Sequence, residues 1–161
     1  MKNNKIKNNK MKSILKLIIL IAILLMGITF HGSAHINKAD QIIGCWMTFG
    51  NTAKVQIYKL NDKYFGKIIW ADEMYEADGK TLKTDSKNEN PKMRKRTIKN
   101  LELLSNFIYK DDMWTEGTVY DPKNGSTYRC KIKLNGTKLE IRGYIGISLF
   151  CRTEIWNKVE E

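Results

Sequence analysis

TYRCKIKLNG, residues 127–136, alternates apolar and polar side chains and then ends in a turn dipeptide. The two faces differ in chemistry: one would carry Tyr128, Cys130, Ile132 and Leu134, and the other Thr127, Arg129, Lys131 and Lys133. A period of two with one wet face is typical of a half-buried β-strand. Asn135-Gly136 predicts a two-residue hairpin, because both residues tolerate a positive φ.

The same rhythm runs through the chain from residue 43 onward. About eight strands are predicted, at 43–49, 53–60, 63–70, 101–110, 113–120, 127–134, 138–142 and 147–156. Short antiparallel strands of even spacing are typical of a closed barrel or a sandwich. Hairpin order favours the barrel, since closure removes both edges. We therefore predict an all-β, up-and-down barrel, wide enough to be filled by side chains or to hold one small ligand.

One predicted connection, residues 71–100, is long and polar. Connections of this length in compact domains are functional or disordered, and the pattern leaves room for a short helix without placing it. Its basic run, Lys92 to Arg96, suits an anionic headgroup or a polyanionic envelope component, or is simply a solvated loop.

The N-terminus predicts export. Six lysines and no acid precede an apolar run over 17–30, and the small residues Gly32-Ser33-Ala34 follow. A basic segment, a short apolar segment and small residues are what a signal peptidase reads, so we expect cleavage near Ala34. An uncleaved anchor is the alternative, but the run is short of the roughly 20 residues that span a bilayer. The prediction is a signal peptide over 1–34 and one secreted or periplasmic domain over 35–161, with no transmembrane anchor after cleavage.

Charge changes once this segment is removed. Six of the 28 Lys and Arg residues lie in 1–34, so 22 remain against 17 acids, a net charge of +5. This moderate value and the export signal argue against a nucleic-acid partner, although small barrels with basic and aromatic residues can stack bases. Ile42-Ile43-Gly44-Cys45 resembles a lipoprotein box, but it lies beyond a polar stretch, so lipid anchoring at Cys45 is disfavoured.

The three cysteines, Cys45, Cys130 and Cys151, all fall in the predicted mature domain. Their spacings match no zinc pattern. Cys45 and Cys151 lie near the two ends of the domain, which become neighbours if the sheet closes. We consider a Cys45–Cys151 disulfide and three free thiols as open alternatives.

Several motifs follow in order along the chain: Gly44-Cys45-Trp46, Tyr64 to Trp70, Tyr120 to Tyr128, Arg142 to Gly146 and Phe150 to Thr153. Together they resemble the uncharacterised secreted bacterial family called domain of unknown function 2147 (DUF2147). The resemblance covers essentially the whole mature chain. It implies a lipocalin-like barrel and leaves the biochemical role open.

The resemblance also implies a structural closure. In lipocalins a Gly-x-Trp motif opens the first strand, and an arginine on the last strand packs over the tryptophan. Carried over, this predicts that Gly44, Trp46 and Arg152 close the bottom of the barrel. Cys151 stands where the family pattern has glycine, and this departure supports the Cys45–Cys151 hypothesis.

Histidine occurs only at His31 and His35, so the predicted barrel has no Ser-His or Cys-His pair and no histidine metal site. No phosphate-binding loop is present. Acids on the strands (Glu102, Glu116, Glu140, Glu154) could form an acid–base pair, but nothing in their spacing indicates that any two converge, and wet strand faces explain them. The oxygen-rich side chains of the long connection fit no calcium loop. We therefore predict no enzyme, no cofactor and no metal.

The leading hypothesis is a non-catalytic barrel of the cell envelope that binds a small apolar or amphipathic ligand. Its candidate ligand-binding residues are Trp70, Arg94, Tyr120, Tyr128, Arg142, Tyr144 and Phe150. For the aromatics the plain alternative is a filled core. An arginine inside the barrel would await an anionic group, although Arg142 and Tyr144 share a face opposite Leu139 and Ile141 that could be the wet one. The main alternative function is a protein- or envelope-polymer-interaction module without an internal ligand.

Overall fold

In the computed structural model the described residues are 11–12, 14–17, 37–145 and 150–160. The chain divides into two units, Met1–His35 and Ile36–Glu161. In the first unit, residues 11–12 and 14–17 are helical. The predicted signal peptide and its cleavage site fall mostly outside the described residues. Within the described ranges, no helix is long and apolar enough to cross a bilayer.

The second unit contains eight β-strands: β1 (Gly44–Met47), β2 (Ala53–Leu60), β3 (Lys63–Ala71), β4 (Glu102–Lys110), β5 (Met113–Asp121), β6 (Ser126–Asn135), β7 (Lys138–Ile145) and β8 (Phe150–Val159). Each strand pairs antiparallel with the next, and β8 pairs with β1. The sheet is therefore a closed up-and-down barrel, which confirms the predicted fold. β8 continues three residues past the predicted Trp156, because its end pairs with β1.

The tight turns adopt the backbone conformations that their residues favour. Asp111 and Asp112 both adopt positive φ between β4 and β5, as a type I′ hairpin requires. Asn61 does so between β2 and β3, and Gly136 between β6 and β7. These three turns lie at one end of the barrel, which we call the closed end.

A 3₁₀ helix, Lys38–Ile42, covers the closed end. Asn37 caps it by accepting a hydrogen bond from the backbone N–H of Ala39. The indole N–H of Trp46 donates to the carbonyl of Ile42 (2.8 Å), and that of Trp114 donates to the carbonyl of Ala39 (3.1 Å). Two strands thus hold the helix over the barrel while both indole donors are satisfied, as buried polar groups require.

The core of this end is continuous and apolar. Its buried members are Ala39, Ile42, Trp46, Val55, Ile57, Tyr64, Leu104, Phe107, Trp114, Cys130, Ile132, Leu139, Ile141 and Trp156. The small void between Ile57, Tyr64 and Phe107 has no room for a water molecule. Side chains therefore fill this half of the barrel.

Lys158 occupies the position at which the resemblance placed an arginine. Lys158 pairs with Trp46 across β8 and β1, and its ammonium lies 5.5 Å from the centre of the Trp46 ring. Arg152 pairs instead with Gly143, six residues back along β8. The predicted Trp46–Arg152 closure is therefore wrong, because pairing with β1 begins only at Asn157.

The strand register also contradicts the Cys45–Cys151 bridge. Cys45 pairs with Val159, whereas Cys151 pairs with Tyr144. Eight residues of extended strand separate positions 151 and 159, about 26 Å at ~3.3 Å per residue. A disulfide needs Cα atoms within ~7 Å. Closure does make β1 and β8 neighbours, but antiparallel pairing sets the start of one beside the end of the other.

The long connection between β3 and β4, residues 72–101, packs against the other end of the barrel. It contains a 3₁₀ turn, Pro91–Met93, and two isolated bridges, Tyr75 with Leu82 and Thr84 with Thr97. Its apolar residues Met74 and Leu101 are buried with Ile68 of β3 and Tyr120 of β5. Where the sequence left room for a short helix, the connection contains this 3₁₀ turn, and it has a small core of its own.

Candidate functional site

Strand pairing identifies which residues of β5–β8 face the inside of the barrel. Ile141 pairs with Ile132 and Glu154, and Gly143 pairs with Cys130 and Arg152. Paired residues share a face. Since Ile132 and Ile141 belong to the buried core, Gly143, Arg152 and Glu154 face inward as well.

The same argument extends to β5 and β6, where Val119 pairs with Tyr128 and with the core residue Leu104 of β4. Five inward positions therefore lie on the side away from the 3₁₀ helix. We call them the open-end lumen: Val119, Tyr128, Gly143, Arg152 and Glu154.

Exposure changes sharply along this inner face. The inward residues nearer the 3₁₀ helix are buried, with Leu139 at 0% and Trp156 at 2% exposure. Val119, Tyr128 and Gly143 are half-buried, and the Arg152 side chain is 78% exposed. An inward-facing residue is exposed only where water enters the barrel. Along β5–β8, the described part of this end is therefore open to solvent above a filled floor, whereas Leu104 of β4 is buried.

The open-end lumen carries one charged pair. The carboxylate of Glu154 forms an ion pair with Nε of Arg152 (3.2 Å) and accepts a hydrogen bond from the indole N–H of Trp156 (3.3 Å). The carboxylate thus stands on the apolar floor, with the guanidinium towards solvent. A guanidinium presents five donors and a carboxylate presents only acceptors, so the pair can bind a polar group of either kind.

Cys130 lies at the floor of this site, 3% exposed. Burial, opposed in part by hydrogen bonds and reinforced by the charge of Glu154, raises the pKa of its thiol to about 12. A thiol with this pKa stays protonated at neutral pH, and a protonated thiol is neither a nucleophile nor a metal ligand. Within the described residues, no three His, Cys, Asp or Glu side chains come together to hold a metal ion.

The structure divides the predicted ligand-binding residues among several places. Tyr128 is in the open-end lumen, where its hydroxyl accepts from Asn124 (2.8 Å). Phe150 pairs with Ile145 at the start of β8, and its side chain lies outside the described residues. Trp70 pairs with Lys54 on β2 and is 45% exposed.

Arg142 and Tyr144 lie on the outer wall, on the face opposite to the buried Ile141 and the inward Gly143. The Arg142 guanidinium is 5.8 Å from the centre of the Tyr144 ring. Both line a groove of ≈ 790 Å³, which we call the outer groove. Its lining residues are Glu116, Gly117, Thr118, Arg129, Cys130, Lys131, Arg142 and Tyr144.

Tyr120 and Arg94 belong to a hydrogen-bond network that fastens the long connection to β5. The centre of this network is Asp85, whose side chain is completely buried. Its carboxylate accepts from the Tyr120 hydroxyl (2.6 Å), from Asn88 Nδ2 (2.8 Å) and from Arg96 Nε (2.8 Å). Arg94 donates to the carbonyl of Asn88 (2.7 Å). Both predicted residues thus have structural partners here.

Sequence reasoning missed three residues of these regions: Asp85, Glu154 as a lumen group, and Lys158. Glu154 could have been found, because it shares its parity on β8 with Trp156, a natural core residue. Lys158 needed the register between the first and last strands. Asp85 lies in a segment without periodicity, so no local signal marks its burial.

The comparisons with known proteins agree with this architecture. The family described as "Uncharacterized protein conserved in bacteria (DUF2147)" matches residues 44–158. A solved structure described as "Protein HP1028 from the human pathogen Helicobacter pylori belongs to the lipocalin family" has a similar fold, with a TM-score of 0.63 and 25% identity. That likeness covers 75% of this chain and 84% of the other. No curated protein matches the chain.

Proposed function

Since the chain belongs to the bacterial DUF2147 family and folds as a lipocalin-like barrel, we propose that it is an exported, non-catalytic binding protein of the cell envelope. Its ligand would be a small apolar or amphipathic molecule held in the open-end lumen. The observation that carries this proposal is the change along the inner face from buried floor to solvent-exposed wall. A barrel filled from end to end would have no such change.

The lining of the open-end lumen indicates an amphipathic ligand rather than a purely apolar one. Val119 and the ring of Tyr128 would contact an apolar body standing on the floor of Ile141 and Trp156. The Arg152–Glu154 pair would meet the polar head. Sites for small molecules combine many apolar contacts with a few placed polar groups in this way.

The non-catalytic part of the proposal depends on the chemistry of the groups that line the lumen. The thiol of Cys130 is kept protonated by burial, as its raised pKa indicates. Glu154 is already engaged by Arg152 and Trp156, and an acid–base mechanism on carboxylates needs a second one within reach. The described lumen offers one carboxylate.

The experiment that tests ligand binding compares two leucine substitutions at the same level of the barrel. Among the described residues, a Cβ on Gly143 would meet only Val119, at 4.0 Å, so Gly143→Leu puts a side chain into the lumen without a clash there at Cβ. Thr153 follows Arg152 in the sequence, and its side chain is on the outer face of β8, so Thr153→Leu adds the same side chain outside the barrel. The wild type and both variants are purified from the cell envelope. Native mass spectrometry then measures the mass of each protein together with any bound molecule.

We expect a co-purifying small molecule on the wild type and on Thr153→Leu, and its loss from Gly143→Leu. A bound molecule that remains on Gly143→Leu would refute the lumen as its site. Wild-type protein that is always free of ligand would count against the binding function itself.

Export needs its own test. N-terminal sequencing of the protein from a periplasmic or secreted fraction should begin near residue 35 if the signal peptide is removed after Ala34. Retention of the full N-terminus in the membrane fraction would contradict the proposed localisation.

A further inference from the structure

The outer wall of the barrel concentrates positive charge on β6 and β7. Lys131 pairs directly with Arg142, and Arg129 pairs with Tyr144. Like charges directly opposite each other on neighbouring strands are destabilising. Nothing in the barrel fold requires cations at these positions, because threonine serves as well on a wet strand face. The repulsion therefore indicates a role other than stability.

The residues that lie opposite this cluster on the flanking strands are uncharged. Thr118 of β5 lies opposite Arg129, and Thr153 of β8 lies opposite Arg142. One carboxylate, Glu116, lines the outer groove against the three cations, and it is exposed. The described groove lining therefore carries a net charge of about +2 at neutral pH.

The next outward pair along β6 and β7 places opposite charges across from each other. Lys133 lies opposite Glu140, whose carboxylate also accepts from Asn135 Nδ2 (2.6 Å). Lys133 faces the same way as Lys131 on the same strand, yet it is outside the groove lining. The chain thus supplies a matched pair of lysines, one facing an arginine and one facing an acid.

The shape of the outer groove suits a small molecule. Its volume of ≈ 790 Å³ is within the ~300–1,000 Å³ of ligand sites. Gly117 and Cys130 alternate with the outward side chains, so their backbone forms the floor. The Tyr144 ring forms part of the lining beside Arg142 and offers a flat face for stacking.

We propose that the outer groove binds a small phosphate-bearing ligand, held by Arg129, Lys131 and Arg142 beside the Tyr144 ring. Guanidinium groups match phosphate oxygens with paired hydrogen bonds, and a lysine adds a point charge. An anion between these cations converts their mutual repulsion into attraction. The groove is on the outside of the wall that encloses the open-end lumen, so this inference does not depend on the function proposed above.

The test uses inorganic pyrophosphate as the probe and isothermal titration calorimetry at low salt. Lys131→Gln and Arg129→Gln should each weaken pyrophosphate binding about tenfold, as expected for the loss of a hydrogen bond to a charged group. Lys133→Gln, the matched control, should leave the dissociation constant within about twofold, since it removes an equal charge outside the groove. Equal losses in Lys131→Gln and Lys133→Gln would show general charge attraction and overturn the proposal.

A second measurement needs no variant. Amide chemical shifts of the wild type titrated with pyrophosphate should move along the groove-lining residues of β5, β6 and β7, and remain unchanged around Lys92–Arg96. Vesicles containing phosphatidylglycerol, tested in parallel, distinguish a lipid phosphate from a soluble one: binding of either that is lost in Lys131→Gln supports the site. Binding of neither phosphate source, or shifts centred on Lys92–Arg96, would refute it.

Discussion

The two ends of the barrel differ in how they hold the chain that covers them. At the closed end, two tryptophans donate hydrogen bonds to carbonyls of the 3₁₀ helix Lys38–Ile42, and apolar side chains pack around this helix. At the open end, the buried carboxylate of Asp85 accepts hydrogen bonds from Tyr120, Asn88 and Arg96. One end is closed by apolar packing; at the other, a small apolar core and this polar network together hold the long connection beside a lumen.

This difference has a functional consequence. Apolar packing at native density leaves no space, so an end built in this way cannot hold a ligand. A polar network can fasten a covering segment at a few points and leave the neighbouring interior accessible. We therefore expect the closed end to contribute most of the stability, and the other end, to which we assign ligand binding, to be less stable, as ligand-binding regions commonly are.

The largest expected effect tests the closed end. Trp46→Ala removes a fully buried indole and should lower the free energy of unfolding by about 3–5 kcal/mol. Trp70→Ala, an exposed tryptophan on β3, should cost less than about 1 kcal/mol. Urea unfolding measures both. Similar losses would mean that the closed end does not dominate stability.

Asp85→Ala tests the open end. It leaves the Tyr120 hydroxyl and Asn88 without their buried acceptor, and Arg96 without its ion pair, so we expect a loss of about 2–3 kcal/mol in urea unfolding. Hydrogen exchange should accelerate in residues 72–101 and remain slow in 38–46. Acceleration spread evenly over both ends would contradict two separate fastenings.

Two glycines with positive φ provide a third comparison. A Cβ on Gly125, in the turn from β5 to β6, would overlap the carbonyl oxygen of Lys87 in the long connection. A Cβ on Gly136, in the turn from β6 to β7, would meet no described residue within 4 Å. Gly136→Ala should cost about 1 kcal/mol through backbone strain alone.

Gly125→Ala adds the displacement of the connection, so its cost should be about 2 kcal/mol or more. Thermal unfolding of the two variants measures the difference. If both cost the same, the connection would not be held against the β5–β6 turn.

Alkaline pH should weaken the closed end through Tyr64. Burial, followed by the hydrogen bond to Asp40, raises the pKa of Tyr64 to about 12. An unfolded tyrosine ionises near pH 10. The folded state keeps the proton longer, so this contribution is complete below about pH 10 and is lost as the pH rises towards 12.

The expected loss from Tyr64 is on the order of 1 kcal/mol. Tyr64→Phe should therefore show a flatter decline of urea-unfolding free energy between pH 9 and 11 than Tyr75→Phe, an exposed control. Burial and the hydrogen bond from its hydroxyl to Asp85 also raise the pKa of Tyr120, so some decline should remain in both variants. Identical slopes would exclude Tyr64 as a contributor.

Local patterns in the sequence were enough to predict the barrel. Alternation over 127–134 and the turn Asn135-Gly136 are properties of adjacent residues, and closure follows from removing two edges. The outward position of Arg142 and Tyr144 was recognised in the same way, as an alternative to ligand contact. The errors concern pairs distant in sequence: Cys45 with Cys151, and Trp46 with Arg152, both depend on how β8 aligns with β1. Periodicity within a strand carries no information about that alignment.

The candidate site was less predictable than the fold for a related reason. Alternation places Tyr128 inside, but whether an inward position is buried or open depends on how far the core fills the barrel. Asp85 illustrates the limit: its burial depends on Tyr120, 35 residues away. A carboxylate in a polar connection has the same sequence appearance whether it is solvated or buried.

The smallest expected effect distinguishes the two basic residues of β8. Lys158 lies over the Trp46 ring, so Lys158→Gln should cost about 0.5–1 kcal/mol. Arg152→Gln removes a largely exposed ion pair with Glu154 and should cost less than about 0.5 kcal/mol. Tryptophan fluorescence of the native state adds a second readout, because only Lys158→Gln changes the charge beside Trp46. A larger loss in Arg152→Gln would restore arginine as the closing residue and would argue that β8 aligns differently with β1.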